Sequence, residues 1–318
     1  MLSTPLVSII IPCKEVDDYT RECIEYCMRL DYPNLEIILL PDHATQAING
    51  AKVIDTGAVS PGVKRNIGVK NSNGTFCAFI DNDAYPRNDW LTNALTHFED
   101  PQVGGVGGPG LTPEEDGFMQ KAGGYVLSSF MVGTLSSRYK TETCFESDDI
   151  HSCNFIARKS VLEEAGGWNE HYWPGEDTLM CLAIRKLGKK LIESSDVVVY
   201  HHRRSLFKLH LKQVSRFGEH RGFFAKKFPE NSKKMTYFFP SLLLAFILVG
   251  ILLSIIFSFF IYIVIFGLAV YFISTLIAAA VQVKSVKMML SVWLGIIATH
   301  LVYGTFFISG LAKRDLKR

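Results

Sequence analysis

Two carboxylates, one residue apart, follow an apolar run in the stretch "FCAFIDNDAYPRNDWL" (76–91). Asp81 and Asp83 stand where a buried strand is predicted to end, and Pro86 predicts a turn shortly afterwards. Carboxylates at this spacing can hold a hard divalent cation, Mg²⁺ or Mn²⁺, whose other ligands are water and substrate phosphates. The same spacing also occurs in turns in which aspartate accepts backbone hydrogen bonds, so the pattern alone leaves both interpretations open.

A second pair of acids, Glu176 and Asp177, lies in "WPGEDTLM" (173–180) at the start of a predicted helix. Adjacent helical residues cannot face the same way, so the two carboxylates are expected to have different roles. A carboxylate beside an acceptor hydroxyl can act as a general base. Acids are also favoured at helix N-termini by the helix dipole, and the residues alone favour that structural role.

The first 200 residues alternate between predicted strands and helices, which indicates an α/β fold. The runs "LVSIIIP" (6–12) and "LEIILLPD" (35–42) are predicted strands, and "YTRECIEYCMRL" (19–30) between them has helical spacing. This βαβ unit predicts a parallel sheet covered by helices. "TFCAFIDND" (75–83) is a further strand, so Asp42 and the Asp81–Asp83 pair follow the carboxyl ends of strands, where ligands bind in open α/β sheets.

A glycine-rich segment, "VGGVGGPG" (103–110), is interpreted as irregular backbone that either approaches a donor sugar or forms a turn. It lacks the GK[ST] ending of a Walker loop.

The C-terminal third predicts a membrane anchor. Residues 236–283 contain no Asp, Glu, Lys or Arg, and this length suits two helical crossings. A third apolar segment, 288–311, follows "KSVK". Lys233 and Lys234 place the preceding domain in the cytoplasm, whereas three crossings would leave the basic tail 313–318 on the far side. The third segment is therefore either re-entrant or interfacial, or it departs from the positive-inside rule.

The linking segment 201–235 carries ten Lys or Arg residues and two acids. Its residues Phe207, Leu211, Val214 and Phe217 recur at helical spacing, which predicts an amphipathic helix on anionic headgroups; an ordinary surface helix is the alternative. Because an anchor accounts for the basic charge, nucleic acid is not a predicted partner. The start of the chain shows no signal peptide, and seven scattered cysteines predict reduced thiols, so we expect a multi-pass inner-membrane protein with a cytoplasmic catalytic domain.

Several segments together resemble a known family. "VSIIIPCKE", "LEIILLPD", "GVKRNIGVKNSNGTFCAFIDNDAYPRNDWL", "SCNFIARKSVLEEAGGWNE" and "GEDTLM" occur in the order and approximate spacing seen in family 2 of the inverting glycosyltransferases. The resemblance covers roughly residues 6–217. It implies a GT-A fold, Rossmann-like with a mostly parallel sheet, in a catalytic domain over 1–200, followed by the juxtamembrane segment 201–235, two to three transmembrane helices within 236–312, and the basic tail.

For the donor, the resemblance implies a nucleotide sugar with a UDP, GDP or dTDP carrier. Asp42 would contact the base, with Pro12 and Glu15 in the loop around it, and Arg65 would lie near the base or diphosphate. The second strand ends in "LPDHA" instead of the common "VDDGS", so only one of the two usual acids is present.

For the metal, the resemblance implies that Asp83 binds Mn²⁺ or Mg²⁺ directly, while Asp81 faces the ribose and the water shell of the cation. A histidine of "VVVYHHRRS" (197–205), His201 or its neighbour His202, would complete the site; a basic cluster facing headgroups is the alternative.

For the acceptor, the resemblance makes Asp177 the general base and Glu176 a positioning or capping group. Trp168 and Trp173 could stack on a sugar ring or belong to the core. "QVSRF" (213–217) is similar to a Q-x-x-R-W signature, with phenylalanine in place of tryptophan. Gln213 and Arg216 would then bind the diphosphate or acceptor, or else lie on the polar face of the juxtamembrane helix.

The predicted function is transfer of a sugar, with inversion, from a nucleotide-sugar donor to a hydroxyl of a lipid-linked or membrane acceptor. Transfer onto a polyprenyl phosphate is an alternative, although an anionic acceptor needs no base. A nucleotidyltransferase would be expected to carry a basic glycine-rich loop after the first strand, where this chain has "PCKEVDDY". A non-catalytic membrane scaffold needs no such combination of acids and arginine. The sequence leaves homo-oligomerisation open.

Overall fold

The computed structural model describes residues 4–43, 46–132 and 144–316. The last two residues of the predicted basic tail, Lys317 and Arg318, lie outside these ranges. The chain divides into two compact units, the first formed by Met1–Pro113 and Ser137–His202 and the second by Glu114–Ser136 and Arg203–Arg318. The second unit thus includes a segment from the middle of the chain that the sequence analysis assigned to the catalytic domain.

The first unit is built on a mixed sheet of eight strands within the described ranges, in the order β3-β2-β1-β4-β9-β6-β10-β8. Its strands are β1 (Val7–Pro12), β2 (Leu35–Leu40), β3 (Lys52–Val53), β4 (Phe76–Phe79), β6 (Val103–Gly107), β8 (Phe145–Ser147), β9 (Phe155–Arg158) and β10 (Lys190–Glu193). The pairs β1–β2, β1–β4, β2–β3 and β6–β10 are parallel. The predicted α/β class with a mostly parallel sheet is confirmed.

The central strands are covered on both faces, which accounts for their nearly unbroken apolar sequence. Every residue of β1 and β4 is buried, as expected for parallel strands between helical layers. Asp42 follows β2, and Asp81 and Asp83 follow β4. Both strands pair in parallel with β1, so all three aspartates lie just beyond carboxyl ends at the same edge of the sheet.

Helices of the first unit begin at clear local signals. Asp17 caps the first helix by accepting a hydrogen bond from the Thr20 backbone at 2.8 Å, and Ser60 caps the second, which has Pro61 as its first residue. These helices are α1 (Asp18–Met28), α2 (Pro61–Lys70), α3 (Trp90–Thr96), α5 (Lys159–Glu164) and α6 (Glu176–Lys186).

The glycine-rich segment is not irregular, and that prediction is wrong. Val103–Gly107 forms β6 in the middle of the sheet, and Gly110–Leu111 forms a short strand, β7. A Cβ on Gly105 would lie 2.8 Å from the ring of Phe155, and one on Gly107 would lie 2.3 Å from the side chain of Ile150. The glycines are therefore required by close packing against the sheet's covering side chains.

A second, three-stranded sheet has the order β5-β11-β7, with β5 at Ala84–Pro86 and β11 at Val199–His201. The strands β5 and β11 are antiparallel, and their register pairs His201 with Ala84, the residue after Asp83. This pairing brings a histidine from late in the chain next to the turn that carries the two aspartates.

The second unit is helical in its described part. Its helices are α4 (Phe118–Ser128), α7 (Lys208–Lys227), α8 (Pro229–Ser232), α9 (Met235–Ile256), α10 (Phe259–Ala280) and α11 (Val286–Ala312). Within the described residues, α9, α10 and α11 are long and apolar enough to cross a membrane. The helix predicted around Phe207–Phe217 is present as α7, but its buried face carries His210, Val214, Gly218 and Gly222, and Phe217 is exposed.

Candidate active site

The turn after β4 and the end of β11 bring Asp81, Asp83 and His201 together. One potential ligand atom from each of the three side chains lies within 4.8 Å of the others. The Nε2 atom of His201 is 3.1 Å from Oδ1 of Asp83. Two carboxylates and an imidazole form a donor set suited to a divalent cation, with the carboxylates favouring Mg²⁺ or Mn²⁺ and the imidazole favouring the transition metal.

The two neighbouring histidines have different surroundings. His202 Nε2 lies 2.8 Å from a carboxylate oxygen of Glu22, and its ring packs on Tyr19 with centroids 4.3 Å apart. Of the two histidines left open by the sequence, His201 is therefore the one that lies in the acidic cluster. Burial disfavours the charged form of His201, but the nearby Cys153 and Asp83 raise its pKa well above the usual histidine value.

Arg65, on α2, links the acidic turn to the start of α6. Its guanidinium donates to Glu176 Oε1 at 2.8 Å and to Asp81 Oδ1 at 3.0 Å, and it lies over the ring of Trp168, 5.0 Å from the centroid. Arg65 is only 2% exposed. We predicted that Arg65 lies near the nucleotide base or diphosphate; in the structure its buried guanidinium fixes the positions of two acids.

Glu176 and Asp177 differ in environment, as their adjacency predicts. Glu176 is buried and paired with Arg65, whereas Asp177 is half-buried and accepts a hydrogen bond from the Thr178 backbone at 2.8 Å. Burial raises the pKa of Glu176 to about 7; Arg65 opposes this shift and Asp177 adds to it. Glu176 therefore has the environment of a positioning group, and Asp177 is the more accessible of the two acids.

Asp42, the predicted base contact, forms an ion pair with Lys64 at 2.5 Å. Lys64 Nζ also donates to the backbone carbonyl oxygens of Cys13 and Leu40, at 2.6 and 3.1 Å. This buried lysine therefore ties the ends of β1 and β2 to α2. Pro12 is the last residue of β1, and Glu15 lies exposed in the loop that follows.

The two tryptophans proposed for the acceptor side have opposite exposures. Trp168 is 2% exposed and packs edge-on against Phe79 and Phe155. This burial against Phe79, Phe155 and Arg65 favours the core alternative for Trp168 over stacking on a sugar ring. Trp173 is 41% exposed and remains a candidate for stacking. Gln213 and Arg216 lie on α7 of the second unit.

Two positioning residues, Lys64 and Asp149, were not found from the sequence. Lys64 precedes Arg65 on α2, and nothing in the spacing showed that its side chain turns inward to Asp42. Asp149 accepts a hydrogen bond from the Thr178 hydroxyl at 3.0 Å and so holds the first turn of α6. Its partner is 29 residues away, and only the folded sheet brings them together.

The chain is similar to proteins of known activity. A curated relative from Methanococcus voltae, dolichyl N-acetyl-alpha-D-glucosaminyl phosphate 3-beta-D-2,3-diacetamido-2,3-dideoxy-beta-D-glucuronosyltransferase, is 26% identical over 270 residues, covering 78% of this chain and 83% of the relative. Glycosyltransferase AglE from Haloferax volcanii is 24% identical over 236 residues, covering 69% and 74%.

Among solved structures, the fold is similar to that of the mannosyltransferase PcManGT from Pyrobaculum calidifontis, solved with GDP-Man and Mn²⁺. The TM-score is 0.57 at 17% identity, over 99% of this chain and 89% of the other. This likeness confirms the GT-A architecture. The sequence profile of glycosyl transferase family 2 matches residues 8–166, half of the chain. With the acidic turn after β4 lying inside that match, the chain belongs to glycosyl transferase family 2.

Proposed function

We propose that this glycosyltransferase moves a sugar from a nucleotide-sugar donor to a hydroxyl of a lipid-linked acceptor, with inversion at the anomeric carbon. The observation that carries the proposal is the cluster of Asp81, Asp83 and His201 beyond the strand ends. The named relative from Methanococcus voltae acts on a dolichyl-linked sugar, and the apolar helices of the second unit would keep this chain at a membrane.

Asp83, Asp81 and His201 would hold the divalent cation. When bound there, Mn²⁺ or Mg²⁺ would offset negative charge on the leaving diphosphate. Asp81 is also held by Arg65, so its position is fixed before a donor arrives. Such preorganisation avoids reorientation of the carboxylate during the reaction.

Asp177 is the proposed general base. It takes the proton from the acceptor hydroxyl, the hydroxyl oxygen forms a bond to the anomeric carbon, and the bond from that carbon to the diphosphate oxygen breaks with its electron pair on the leaving nucleoside diphosphate. Attack from the face opposite the leaving group inverts the centre in one displacement. Glu176 positions the helix turn through Arg65, and Trp173 offers an exposed ring for the acceptor.

Further donor and acceptor contacts complete the proposal. Asp42, with Pro12 and Glu15 in its loop, would lie at the nucleotide base. Gln213 and Arg216 are proposed to bind the diphosphate or the acceptor, because the arginine fork matches phosphate geometry. The chain would be a multi-pass membrane protein with its catalytic domain in the cytoplasm.

The experiment is donor turnover by the full-length chain in detergent, with UDP-, GDP- and dTDP-sugars and Mn²⁺, measured as released nucleotide. Asp83→Ala should lose at least 100-fold in rate, since it removes a metal ligand. The matched control is Asp31→Ala, an exposed carboxylate beyond the end of α1, which should keep wild-type turnover. Asp177→Asn should lose transfer to a lipid-linked acceptor. Absence of turnover with every donor, or full activity in Asp83→Ala, would overturn the proposal.

A further inference from the structure

The three apolar helices of the second unit do not have the same surroundings. In α9 and α10, 11% of the most apolar window is buried, against 39% in α11. Among the exposed apolar residues of α11, four are separated by four, seven and seven positions: Leu290, Leu294, Leu301 and Ile308. Such spacing places them along one face of the helix. One apolar face of α11 is therefore open, while residues such as Val292, Ile296 and Phe307 are buried.

The helices α9 and α10 form an antiparallel hairpin joined at Phe257 and Ser258. A Cβ on Gly250 would touch Val264, and one on Gly267 would touch Phe246. Because α9 and α10 are antiparallel, this register places Tyr271–Thr275 of α10 beside the first turns of α9. Each helix has 22 residues, which is about 33 Å and enough to cross a hydrocarbon core.

The described side-chain hydrogen bonds between α11 and the hairpin fall in this part of α9 and α10. Two residues of α11 contact α10. Trp293 Nε1 donates to the Phe272 carbonyl at 3.2 Å, and His300 Nδ1 lies 2.9 Å from the Tyr271 hydroxyl. On α9, the Ser241 hydroxyl donates to the Gly304 carbonyl at 3.1 Å.

These contacts show the direction of α11 relative to the hairpin. From Trp293 to Gly304, α11 advances by about 16 Å, whereas its partners on α9 and α10 stay within about one turn of helix. Measured along α9 and α10, these contacts lie within about 14 Å of the end of the hairpin where α9 begins. Therefore α11 runs across that end and not along the hairpin.

The helix α7 packs alongside α11 and runs in the same direction. His210 Nε2 lies 2.9 Å from the Thr299 hydroxyl, a Cβ on Gly222 would meet the Phe307 carbonyl, and Lys226 Nζ donates to the Leu311 carbonyl at 2.9 Å. Partner numbers rise together on both helices. Because α7 has six Lys or Arg residues and one Glu, a membrane-spanning α11 would draw these charges toward the hydrocarbon core, where charged side chains are rare and costly.

We propose that the chain crosses the bilayer twice, through α9 and α10, and that α11 with α7 lies in the plane of the headgroup layer on the side where α9 begins. The partner of the open face of α11 is the lipid surface. Basic residues then flank only this side: Lys233, Lys234, Lys284, Lys287, Lys313 and Arg314. The opposite loop, Phe257–Ser258, carries no charge, so the arrangement satisfies the positive-inside rule and favours anionic headgroups.

The inference rests on the proposed membrane anchoring, and labelling with a membrane-impermeant maleimide tests the two separately. Full-length Ser258→Cys and Asp315→Cys variants would be made with Cys144→Ser, since Cys144 is the exposed cysteine among the seven and the other six are buried. Both target positions are exposed and lie outside helices. Cells of a bacterial host would be labelled intact and after permeabilisation. Labelling of each variant in detergent defines its fully labelled amount.

In intact cells, we expect labelling of Ser258→Cys and at least tenfold less of Asp315→Cys, with Asp315→Cys labelled after permeabilisation. The wild-type Cys144 serves as the marker for the catalytic domain and should behave like position 315. Labelling of Asp315→Cys in intact cells would reveal a third crossing and overturn the inference. Failure of Ser258→Cys to label until cells are permeabilised would show that the hairpin does not cross, which removes the anchoring itself.

Discussion

Arg65 and Glu176 form an ion pair at 2.8 Å in which both side chains are almost fully buried, with side-chain exposures of 3% and 5%. The two residues are 111 positions apart in the chain. Because the same guanidinium also binds Asp81, one side chain of α2 couples the acidic turn after β4 to the first turn of α6. The proposed metal site and the proposed base therefore share a single positioning residue.

Removal of this residue should destabilise the catalytic unit. Arg65→Met leaves Glu176 buried without its partner, and loss of one member of a buried pair costs about 3–5 kcal/mol. We expect a clearly lower thermal midpoint in detergent, followed by tryptophan fluorescence. The Arg65→Met/Glu176→Gln double variant should recover part of the loss, because no buried charge remains unpaired. An unchanged midpoint in Arg65→Met would contradict the assigned role.

The raised pKa of Glu176 predicts a pH dependence of stability. Its pKa lies at about 7 in the fold against 4.5 as the ordinary value, chiefly because of burial. The fold thus favours the protonated form, so this contribution is fully present below pH 4.5 and is lost as pH rises through 7. The difference corresponds to at most about 3 kcal/mol.

Glu176→Gln removes that dependence. The thermal midpoint of the variant relative to wild type should therefore rise between pH 5 and pH 8. Glu164→Gln, on the exposed end of α5, provides the control and should follow wild type at both pH values. A constant offset between Glu176→Gln and wild type would show that the carboxyl does not titrate in this range.

The sequence predicted the elements that carry strong local signals. The runs that became β1 and β2, the helical spacing of α1, and the acids beyond the strand ends could all be read from neighbouring residues. The β6 strand could not, because its glycines are selected by Phe155 and Ile150, which are distant in sequence. The inward direction of Lys64 and Arg65 likewise depends on which strand ends and acids the fold places around α2.

Alanine variants of the two tryptophans predicted for the acceptor side should distinguish a structural role from a role in acceptor binding. Trp168→Ala removes a ring packed under Arg65 and should cost about 3–5 kcal/mol of stability. Trp173→Ala removes an exposed ring, so the midpoint should change little. If Trp173 stacks on the acceptor, its loss should raise the acceptor KM roughly two- to tenfold, with kcat nearly unchanged. Equal destabilisation of both variants would show that Trp173 is also a core residue.

The packing of β6 predicts an unusual sensitivity to a single methyl group. Gly107→Ala would place a Cβ 2.3 Å from Ile150 and 2.6 Å from the Asn154 carbonyl oxygen, so the strand must shift, at a cost of about 1–3 kcal/mol or more. Gly117→Ala is the matched control, because its Cβ would meet only the flexible Gln120 side chain at 3.2 Å. Thermal midpoints of the two variants test the expectation. A Gly107→Ala protein as stable as Gly117→Ala would contradict the close approach.

Binding of Mn²⁺ should stabilise the fold through the acidic cluster, independently of any sugar donor. A ligand that binds only the folded chain adds about 2.7 kcal/mol at one hundred times its Kd, so the thermal midpoint of wild type should rise as Mn²⁺ is titrated. Asp83→Asn and His201→Gln each remove one of the three proposed ligands and should flatten this rise, while Asp31→Asn should retain it. Electron paramagnetic resonance of free Mn²⁺ provides a direct count of bound ions in the same samples. If Asp83→Asn binds Mn²⁺ as tightly as wild type does, the cation site lies elsewhere, and the function proposed for Asp83 fails with it.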